Sequence, residues 1–317
     1  MSNPNFDSLI ATTLKKYVPN MADNVFKRYA LLDFLQKKAK RYNVSGSTIA
    51  VPLMYDTNTT FTTYSRYDSL DLTPQEGMTA AEFSWKQAAV SVAISGIEEA
   101  QNSGKEQVID LLKAKVKQAE RTAASEFNQM FFTSDGTGNG GKDFLGLAAL
   151  VGDASHGPAS VGGINGSTYA YWRSNIDDQA VNLQIVDLWN TYNNCTAGGG
   201  DDGPDFEITT QALWQAYSDL LQPQQRFENP KLAEAGFQNL MHGGAPVTWD
   251  TMCPTGDWYF LNSDHIWLVT GKDKWFTMRK FVEPEDKDAK YALILSYGQL
   301  VTDERRKLGK LASRTAP

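Results

Sequence analysis

The chain has 317 residues, of which 41% are hydrophobic and 21% are charged, a composition that is typical of a folded protein and excludes a mostly disordered one. Its formal net charge of -7 argues against a dedicated nucleic-acid-binding protein, because Lys and Arg contacts to phosphate supply most non-specific affinity. The length suggests about two domains with a sizeable core.

Positive charge is concentrated at the amino terminus. Residues 1–50 contain eight Lys and Arg against three Asp, a net charge of +5 that leaves -12 for the rest of the chain. Residues 7–41 are predicted to form two short helical pieces broken at Pro19, whose solvated faces best explain these charges. The alternative is an arm that docks on an acidic surface of a neighbouring subunit.

No segment of the sequence predicts export or insertion into a membrane. The sequence MSNPNFDSLIATTLKK lacks the apolar core of a signal peptide, and the longest run of small apolar residues, Ala88–Ser95, is too short to span a bilayer. We therefore expect a protein that is neither exported nor membrane-embedded.

Two strands are predicted next, because β-branched and aromatic residues alternate with polar ones from Thr48 to Asp56 and from Ala80 to Ser95. The segment between them, residues 57–77, is too long for a tight turn and too aromatic for a flexible linker. A long projecting hairpin is marginally stable alone, so we expect this extended loop to contact a partner subunit.

A single long helix is predicted from Ser103 to Phe132. Ser103 and Glu106 have the spacing of a capping box, and Gly136 can close the helix in the left-handed conformation. Apolar residues recur every three or four positions between them: Val108, Leu112, Val116, Ala119, Ala123, Phe127 and Met130. The charged residues off this line are predicted to face solvent: Lys113, Lys117, Glu120 and Arg121.

Glycine-rich segments are predicted to be loops. Residues 136–141, GTGNGG, match GxGxxG formally, but a dinucleotide site needs a strand before the glycines and here a helix precedes them. Residues 198–204 are predicted to form a mobile surface loop without the lysine of a phosphate loop. We then predict a strand over Phe206–Thr209, a helix over residues 211–222 and a final buried strand over Tyr291–Tyr297.

The sequence contains no recognisable catalytic or metal-binding constellation. His156, His242 and His265 lack metal-ligand spacing and are expected to be structural or surface residues. Asp264 and His265 could belong to a catalytic triad with a distant serine, but the sequence has no GxSxG nucleophile elbow. The adjacent acidic pairs at 98–99 and 177–178 cannot form an acid–base couple, because neighbouring side chains on one element point in different directions. We therefore expect no catalytic residues, no metal and no cofactor.

The cysteines and tryptophans also predict structural roles. Cys195 and Cys253 form no CxxC pair, which indicates neither a disulfide framework nor a zinc site. The eight tryptophans are interpreted as core and interface anchors; they include Trp85, Trp172, Trp189, Trp214, Trp249 and Trp258.

A series of phrases follows one another in a specific order. The amino-terminal arm contains TTL and LLDFL, STIAVPLMYD leads into the Tyr-rich extended loop, and FSWKQAAVSVAISGIEEAQNS leads into the long helix. Further on come DGTGNGGKDFLGLAALV, GGINGSTYAYWRS, ALWQAYSDLLQPQQRF and GAPVTWDTMCPTGDWYFLN. In this joint order the chain resembles the major capsid proteins of tailed double-stranded-DNA bacteriophages.

The resemblance implies an α+β fold, the tailed-phage major capsid fold, with an amino-terminal arm, an extended β-hairpin loop, a peripheral domain with a long spine helix, and an axial domain. The expected boundaries are 1–47 for the arm, 48–90 for the loop hairpin, 91–180 for the peripheral domain with spine helix 103–132, 181–274 for the axial domain, and 275–317 for the return to the peripheral domain and the carboxy-terminal tail.

The resemblance also implies a structural protein, not an enzyme, that self-assembles as pentamers and hexamers into the icosahedral head around packaged DNA. Its expected partners are copies of itself, a scaffolding protein, a portal and, as a further candidate, a decoration protein. An acidic wall should contact packaged DNA only non-specifically, and no membrane is expected. The expected location is the virion capsid, with assembly in the host cytoplasm. Because the arm begins at once, we expect a separate scaffolding protein, or else a chain in its mature form.

The candidate assembly contacts are Phe61, Tyr64, Arg66, Tyr67, Asp68 and Trp85. Some relatives weld neighbouring subunits by an isopeptide bond from a lysine near the loop tip, and this chain departs from that pattern. The only basic residue between Val51 and Trp85 is Arg66, which stays protonated and is a poor nucleophile. We expect it to form a noncovalent pair with a carboxylate of an adjacent subunit, helped by aromatic stacking.

Two other functions stay open. One is an encapsulin-type shell protein that encloses a cargo enzyme. The other is an α/β enzyme with an unrecognised site, which would require a pocket that gathers titratable residues with perturbed pKa values.

Overall fold

The computed structural model describes residues 29–37, 39–42, 46–101, 105–153, 155–196, 202–221 and 240–316. In these ranges the chain forms a five-stranded sheet, a six-stranded sheet and two two-stranded ribbons, combined with helices. The mixed architecture confirms the predicted α+β class. Among the described helices, none combines the length and the apolar character needed to cross a membrane.

The five-stranded sheet is built around its longest strand. Its members are β1 (Lys40–Tyr42), β4 (Lys86–Ser95), β12 (Ile266–Gly271), β13 (Thr277–Met278) and β14 (Ala289–Thr302). Strand β4 pairs antiparallel with residues 289–298 along one edge of β14. Along the other edge β14 pairs with β12 and then with β13, and β1 adds to β12 in parallel.

The six-stranded sheet has the order β7-β15-β11-β8-β10-β9. Its members are β7 (Asn175–Asp178), β8 (Phe206–Thr209), β9 (Leu240–His242), β10 (Ala245–Trp249), β11 (Trp258–Leu261) and β15 (Gly309–Ala312). Every side chain of the central strands β8 and β11 is buried, because the main core covers one face of the sheet and a smaller core covers the other. The predicted strand Phe206–Thr209 is confirmed.

Two ribbons lie outside these sheets. Strands β2 (Thr48–Met54) and β3 (Met78–Ser84) form an antiparallel hairpin. Strands β5 (Ser160–Val161) and β6 (Ile164–Asn165) form a short one.

The helices include one of 29 residues, about 44 Å long at 1.5 Å per residue. The described helices are α1 (Ala30–Lys37), α2 (Gly96–Gln101), α3 (Lys105–Thr133), α4 (Leu147–Leu150), α5 (Ile185–Cys195) and α6 (Gln211–Leu220). Short 3-10 turns occur at Ala170–Trp172 and Arg305–Lys307. The predicted long helix and the helix over residues 211–222 are confirmed within two residues at each end.

Some predictions fall on residues outside the described ranges. Of the two helical pieces predicted over residues 7–41, only α1 lies inside them. Ser103, half of the predicted capping box, and residues 198–201 of the predicted glycine loop also lie outside.

The strand predicted over Ala80–Ser95 is wrong as a single element. Strand β3 ends at Ser84 and β4 begins at Lys86, so that the chain changes from the hairpin to the five-stranded sheet at Trp85. Inward-facing positions are odd-numbered up to Trp85 and even-numbered from Lys86 onwards. This change of phase was present in the sequence and marks the break, since side chains alternate strictly along one strand.

Helix α3 is buried more widely than its apolar period predicts. Val116, Ala119, Ala123 and Phe127 are buried as expected, but so is Glu120, which was predicted to face solvent. Burial raises the pKa of Glu120. The helix packs against both β4 and α4, so more than one of its faces is covered.

The last predicted strand, Tyr291–Tyr297, is confirmed as a strand but is neither fully buried nor the final one. It is part of the 14-residue β14, and β15 follows it. Burial alternates along its first half, with Tyr291 exposed and Ala292 buried, and becomes continuous only towards Thr302.

The chain exchanges strands between the two sheets. Strand β12 lies within the predicted axial range 181–274 but belongs to the five-stranded sheet, whereas β15 lies within 275–317 and belongs to the six-stranded sheet. The boundaries predicted from the sequence therefore do not separate the two sheets.

Arg305 is buried among backbone carbonyls. Its guanidinium donates to the carbonyl oxygens of Ala149, Leu150, Gly152 and Trp172 at 2.7 to 3.0 Å. Two of these acceptors end α4, where carbonyls lack intrahelical partners. Burial lowers the pKa of Arg305 to about 10, which still leaves it charged at neutral pH. One side chain thus joins the 3-10 turn after β14 to the segment after the long helix.

We expect Arg305→Met to lower the free energy of unfolding of the unassembled protein by about 3 kcal/mol or more, because buried acceptors left without donors cost roughly 1–3 kcal/mol each. Denaturant titration measures this. The adjacent Arg306, exposed and paired with Glu304, gives the matched control: Arg306→Met should stay within about 0.5 kcal/mol of the native protein. Equal effects of the two substitutions would contradict this role of Arg305.

Candidate assembly surface

The loop between β2 and β3, residues 55–77, is anchored at its base. The Tyr55 backbone N–H donates to the Gly77 carbonyl at 2.9 Å, and the Tyr55 hydroxyl donates to the Glu76 carbonyl at 3.0 Å. The Tyr55 ring also stacks on Tyr171, with 5.3 Å between centroids. The root of the loop is therefore held in a defined position.

The hairpin below the loop rests on a glycine turn between β5 and β6. The Glu82 backbone N–H donates to the Gly162 carbonyl at 2.9 Å. Gly162 has φ +60°, and a Cβ at this position would lie 2.9 Å from the Cβ of Ala81. Only glycine combines this backbone conformation with such close packing, so the turn fixes the direction in which the hairpin projects.

Beyond its base the loop is shaped by local hydrogen bonds. The Asn58 and Asp71 side chains each accept from a threonine two residues further on, and the Asp68 carboxylate accepts from the Ser65 backbone N–H at 2.6 Å. Hydrogen bonds from Thr73 lower the pKa of Asp71. Such side-chain-to-backbone turns define loop shape without a core.

The loop gathers exposed apolar side chains. Of fifteen exposed large hydrophobic residues in the described ranges, eight lie between positions 54 and 78. They are Met54, Tyr55, Phe61, Tyr64, Tyr67, Leu70, Leu72 and Met78. The exposed fraction reaches 89% for Phe61 and 98% for Tyr67. Concentrated apolar exposure marks interaction surfaces.

The structure brings five of the six predicted contacts together on this loop: Phe61, Tyr64, Arg66, Tyr67 and Asp68 are all exposed. Sequence reasoning missed Leu72, Met54 and Met78, which extend the same apolar surface. The sequence could have indicated them, because Met54 and Met78 are apolar residues that flank the loop and Leu72 is an apolar residue within it. The loop itself carries one Arg and four acidic residues, a net charge of -3.

Trp85, the sixth predicted contact, lies elsewhere. It follows Ser84, which pairs with Thr48 at the end of the hairpin opposite the loop. Its ring is half-buried against the main core, and its indole N–H is buried without an acceptor among the described residues. Its role as an assembly contact stays a prediction, separate from the loop.

Three further exposed apolar side chains lie in or just before helix α5, which packs beside the six-stranded sheet. Val181, and Val186 and Trp189 on one face of α5, are exposed. The sequence predicts that Trp189 is an anchor of the core or of an interface, but it does not predict which of these roles applies. Trp172 and Trp258, in contrast, are fully buried.

His156 is held between two carboxylates. Its Nδ1 lies 2.9 Å from Asp153 Oδ1 and its Nε2 lies 3.1 Å from Asp178 Oδ2. The hydrogen bond to Asp153 is the main cause of its raised pKa. The residue ties the loop after α4 to the end of β7.

His265 has the same arrangement, between Asp303 at 2.9 Å and Asp202 at 3.1 Å. These are the acids that the ring bonds, so the adjacent Asp264 is not its triad partner. Within the described part of the chain no group of three His, Cys, Asp or Glu residues is arranged to hold a metal ion.

His242 and Glu207 form a buried pair in the six-stranded sheet. The Nδ1 atom lies 2.7 Å from Glu207 Oε1, and the Trp258 indole N–H donates to Oε2 at 2.9 Å. Burial raises the pKa of Glu207. The group connects β8, β9 and β11, and the Trp189 ring covers the imidazole at a centroid distance of 4.6 Å. These contacts give the histidine a structural role.

The glycine-rich segment GTGNGG follows the end of α3, as the sequence predicted. Residues Gly138–Gly141 form a tight turn in which Asn139 and Gly140 adopt left-handed conformations. A strand does not precede them, so the segment lacks the geometry of a dinucleotide site.

The sequence matches no family model and no curated protein. Solved structures match along nearly the whole chain. The capsid of cyanophage A-1(L) has a TM-score of 0.68 at 18% identity and covers 92% of this chain and 94% of its own. The capsid of an empty GTA particle has a TM-score of 0.59 at 11% identity, covering 89% and 96%. The encapsulin of Synechococcus elongatus has a TM-score of 0.58 at 10% identity, covering 88% and 85%. The chain therefore has the tailed-phage capsid fold.

We expect the double substitution Phe61→Ser and Tyr67→Ser to leave the free energy of unfolding of the single chain within about 0.5 kcal/mol, because both side chains are exposed. Self-association, followed by light scattering, should weaken strongly. Phe131→Ser, at a fully buried position, is the contrasting control and should destabilise the fold by roughly 3–5 kcal/mol. Undiminished association of the double variant would show that the loop is not a contact surface.

Proposed function

We propose that this chain is the structural subunit of an icosahedral phage head, assembling with copies of itself as pentamers and hexamers around packaged DNA. The observation that carries the proposal is the exposed apolar loop 55–77 on a chain with the tailed-phage capsid fold. In this arrangement the five-stranded sheet with α3 forms the peripheral domain, and the six-stranded sheet forms the axial domain.

Burial of the loop's apolar side chains against a neighbouring subunit would supply favourable free energy for assembly. Full burial of one large apolar side chain stabilises by roughly 1.5–3 kcal/mol, and several such side chains project from each copy. A contact between the loop and a different surface of a neighbour is heterologous, and heterologous contacts form closed rings when the rotation between subunits closes. Rings of five and six are the units from which a closed shell can be built.

The charge distribution suits a container for DNA. The chain as a whole carries a net charge of -7, and the basic residues are concentrated in residues 1–50. An acidic wall would contact packaged DNA weakly and without sequence preference. A scaffolding protein, a portal and assembly in the host cytoplasm belong to the same proposal, as does a decoration protein on the outer surface.

A cargo-enclosing shell is the second candidate, because the encapsulin structure shares the fold. Its TM-score is below that of the cyanophage capsid, which favours the phage head. Purified particles separate the two: nucleic acid protected from nuclease supports the phage head, whereas a co-purifying enzyme supports the encapsulin.

We expect the chain, expressed with its scaffold, to form closed shells of uniform size in negative-stain images, and Val116→Pro to abolish them. Val116 is buried in the middle of α3, where proline costs about 3 kcal/mol or more and kinks the helix. Val116→Ala keeps the helix and serves as the control that should still assemble. Normal shells from Val116→Pro would contradict the role of the helix in setting subunit shape.

We expect mature particles boiled in detergent to release single chains near 35.1 kDa, because Arg66 cannot replace a nucleophilic lysine. Arg66→Ala should weaken particles against heat and salt while leaving the isolated fold unchanged, and Arg66→Lys, which keeps the charge but loses bidentate geometry, should be intermediate. A ladder of covalent multimers would refute the noncovalent contact. If Arg66→Ala particles resist heat and salt as well as native particles do, Arg66 is only a solvated surface charge.

A further inference from the structure

Two short connections carry the chain between the large sheets, and they lie side by side. Residues 262–265 lead from β11 into β12, and residues 303–308 lead from β14 back into β15. Since β12 pairs with β14 and β11 pairs with β15, the two connections run next to each other in opposite directions. Any rotation of one sheet against the other must bend both of them.

An ionic network joins these connections. His265, at the end of the first, has its Nδ1 atom 2.9 Å from Asp303 Oδ1 in the second. Its Nε2 atom lies 3.1 Å from Asp202 Oδ2. Lys307, also in the second connection, lies 3.2 Å from the same Asp202 oxygen and donates to the Asp202 carbonyl at 3.0 Å.

Asp202 belongs to neither connection but is fastened across the first. The Asn262 side-chain amide donates to Asp202 Oδ1 at 2.8 Å and to the Gly203 carbonyl at 3.0 Å. The Ser263 backbone N–H donates to the Asp205 carboxylate at 2.8 Å. Residues 202–205 are therefore hydrogen-bonded to the first connection at the point where the chain leaves the six-stranded sheet.

We propose that Asp202, His265, Asp303 and Lys307 form an ionic clamp that sets the angle between the two sheets, and that opening the clamp lets one sheet rotate against the other. The clamp is a property of a single chain and goes beyond the proposed function. In a shell, the angle would decide how neighbouring subunits meet, and that consequence alone depends on the proposed function.

The surroundings of the four residues support a clamp that can both hold and open. The Lys307 side chain is 8% exposed and that of His265 17%, so their charges are partly shielded from water and interact more strongly than exposed pairs do. The Asp202 side chain is 45% exposed and forms the accessible member.

The charged state of His265 keeps the clamp closed at neutral pH. Its hydrogen bond to Asp303, together with the contact to Asp202, raises its pKa to about 9. Although burial pushes the pKa of Asp202 upward, hydrogen bonds from His265, Asn262 and Lys307 lower it to about 2. Because the folded-state pKa of the histidine lies above its ordinary value near 6.5, the stabilisation is complete below that pH and is lost as the pH rises through about 9.

The angle between the sheets can be measured by electron–electron spin distances. Gln215 on α6 and Lys272 after β12 are exposed positions, one beside each sheet, and both are replaced by cysteine for labelling. The native Cys195 and Cys253 are buried and should not react. Labelled chain is diluted in an excess of unlabelled chain, so that only distances within one chain contribute even in an assembled sample.

We expect one narrow distance distribution for the native chain at neutral pH, and a broadened or shifted one for His265→Gln and for Asp202→Asn. His156→Gln is the matched control, because His156 also lies between two aspartates at the same distances but outside the two connections; its distribution should remain native. Thermal unfolding of each variant, recorded in parallel, separates loss of stability from change of angle.

Raising the pH to about 10 should make the native chain resemble His265→Gln, since the imidazole is then neutral, and should leave His265→Gln itself unchanged. If His265→Gln fails to fold, the alkaline shift of the native chain and Asp202→Asn still decide the matter. Distributions that stay native in Asp202→Asn and in the native chain at about pH 10 would overturn the clamp. Broadening of equal size in His156→Gln would overturn it as well.

Discussion

The packing of Phe127 is the interaction on which the rest of the structure depends. Its ring lies between 5.3 and 5.9 Å from the rings of Phe131, Phe144, Trp275 and Phe276. These residues come from the long helix, from the segment after it and from the turn between β12 and β13. Aromatic clusters of this kind combine large buried area with preferred ring geometry, and here the cluster fixes the helix to the five-stranded sheet.

Buried polar groups extend this arrangement to distant parts of the chain. Asn128, next to Phe127, donates to the Asp250 carboxylate at 2.9 Å. The same oxygen accepts from the Met252 backbone N–H at 2.9 Å. Burial raises the pKa of the Asp250 carboxyl, which lies near the first backbone N–H groups of α1, at Ala30 and Leu31. A buried polar group is costly unless its partners are in place. Each such link therefore favours one register of helix, turn and arm over the alternatives.

The molecule thus divides into a body whose apolar side chains are covered by its own core and a loop whose apolar side chains are exposed. Arg305 and the pair of His242 and Glu207 show how the body satisfies buried charge with carbonyls, an indole and a neighbouring ring. The loop 55–77 has only local turns and an anchored root. A loop with apolar side chains and no core lowers its free energy by contact with another molecule, which is the physical basis of the shell proposal.

Local pattern determined much of this protein. The long helix, the strand Phe206–Thr209, the helix from Gln211 and the exposed aromatic loop were all readable from the sequence, because periodicity and turn chemistry act over a few residues. The order of these elements also indicated the fold. The break at Trp85 could also be read from the sequence, since the apolar positions change there from odd-numbered to even-numbered residues. Tertiary structure alone decided the burial of Glu120, the entry of β15 into the six-stranded sheet and the meeting of His265 with Asp202 and Asp303. Each of these depends on which distant segment packs against the residue, and that partner is chosen by the free energy of the whole fold and not by the residue's neighbours in sequence.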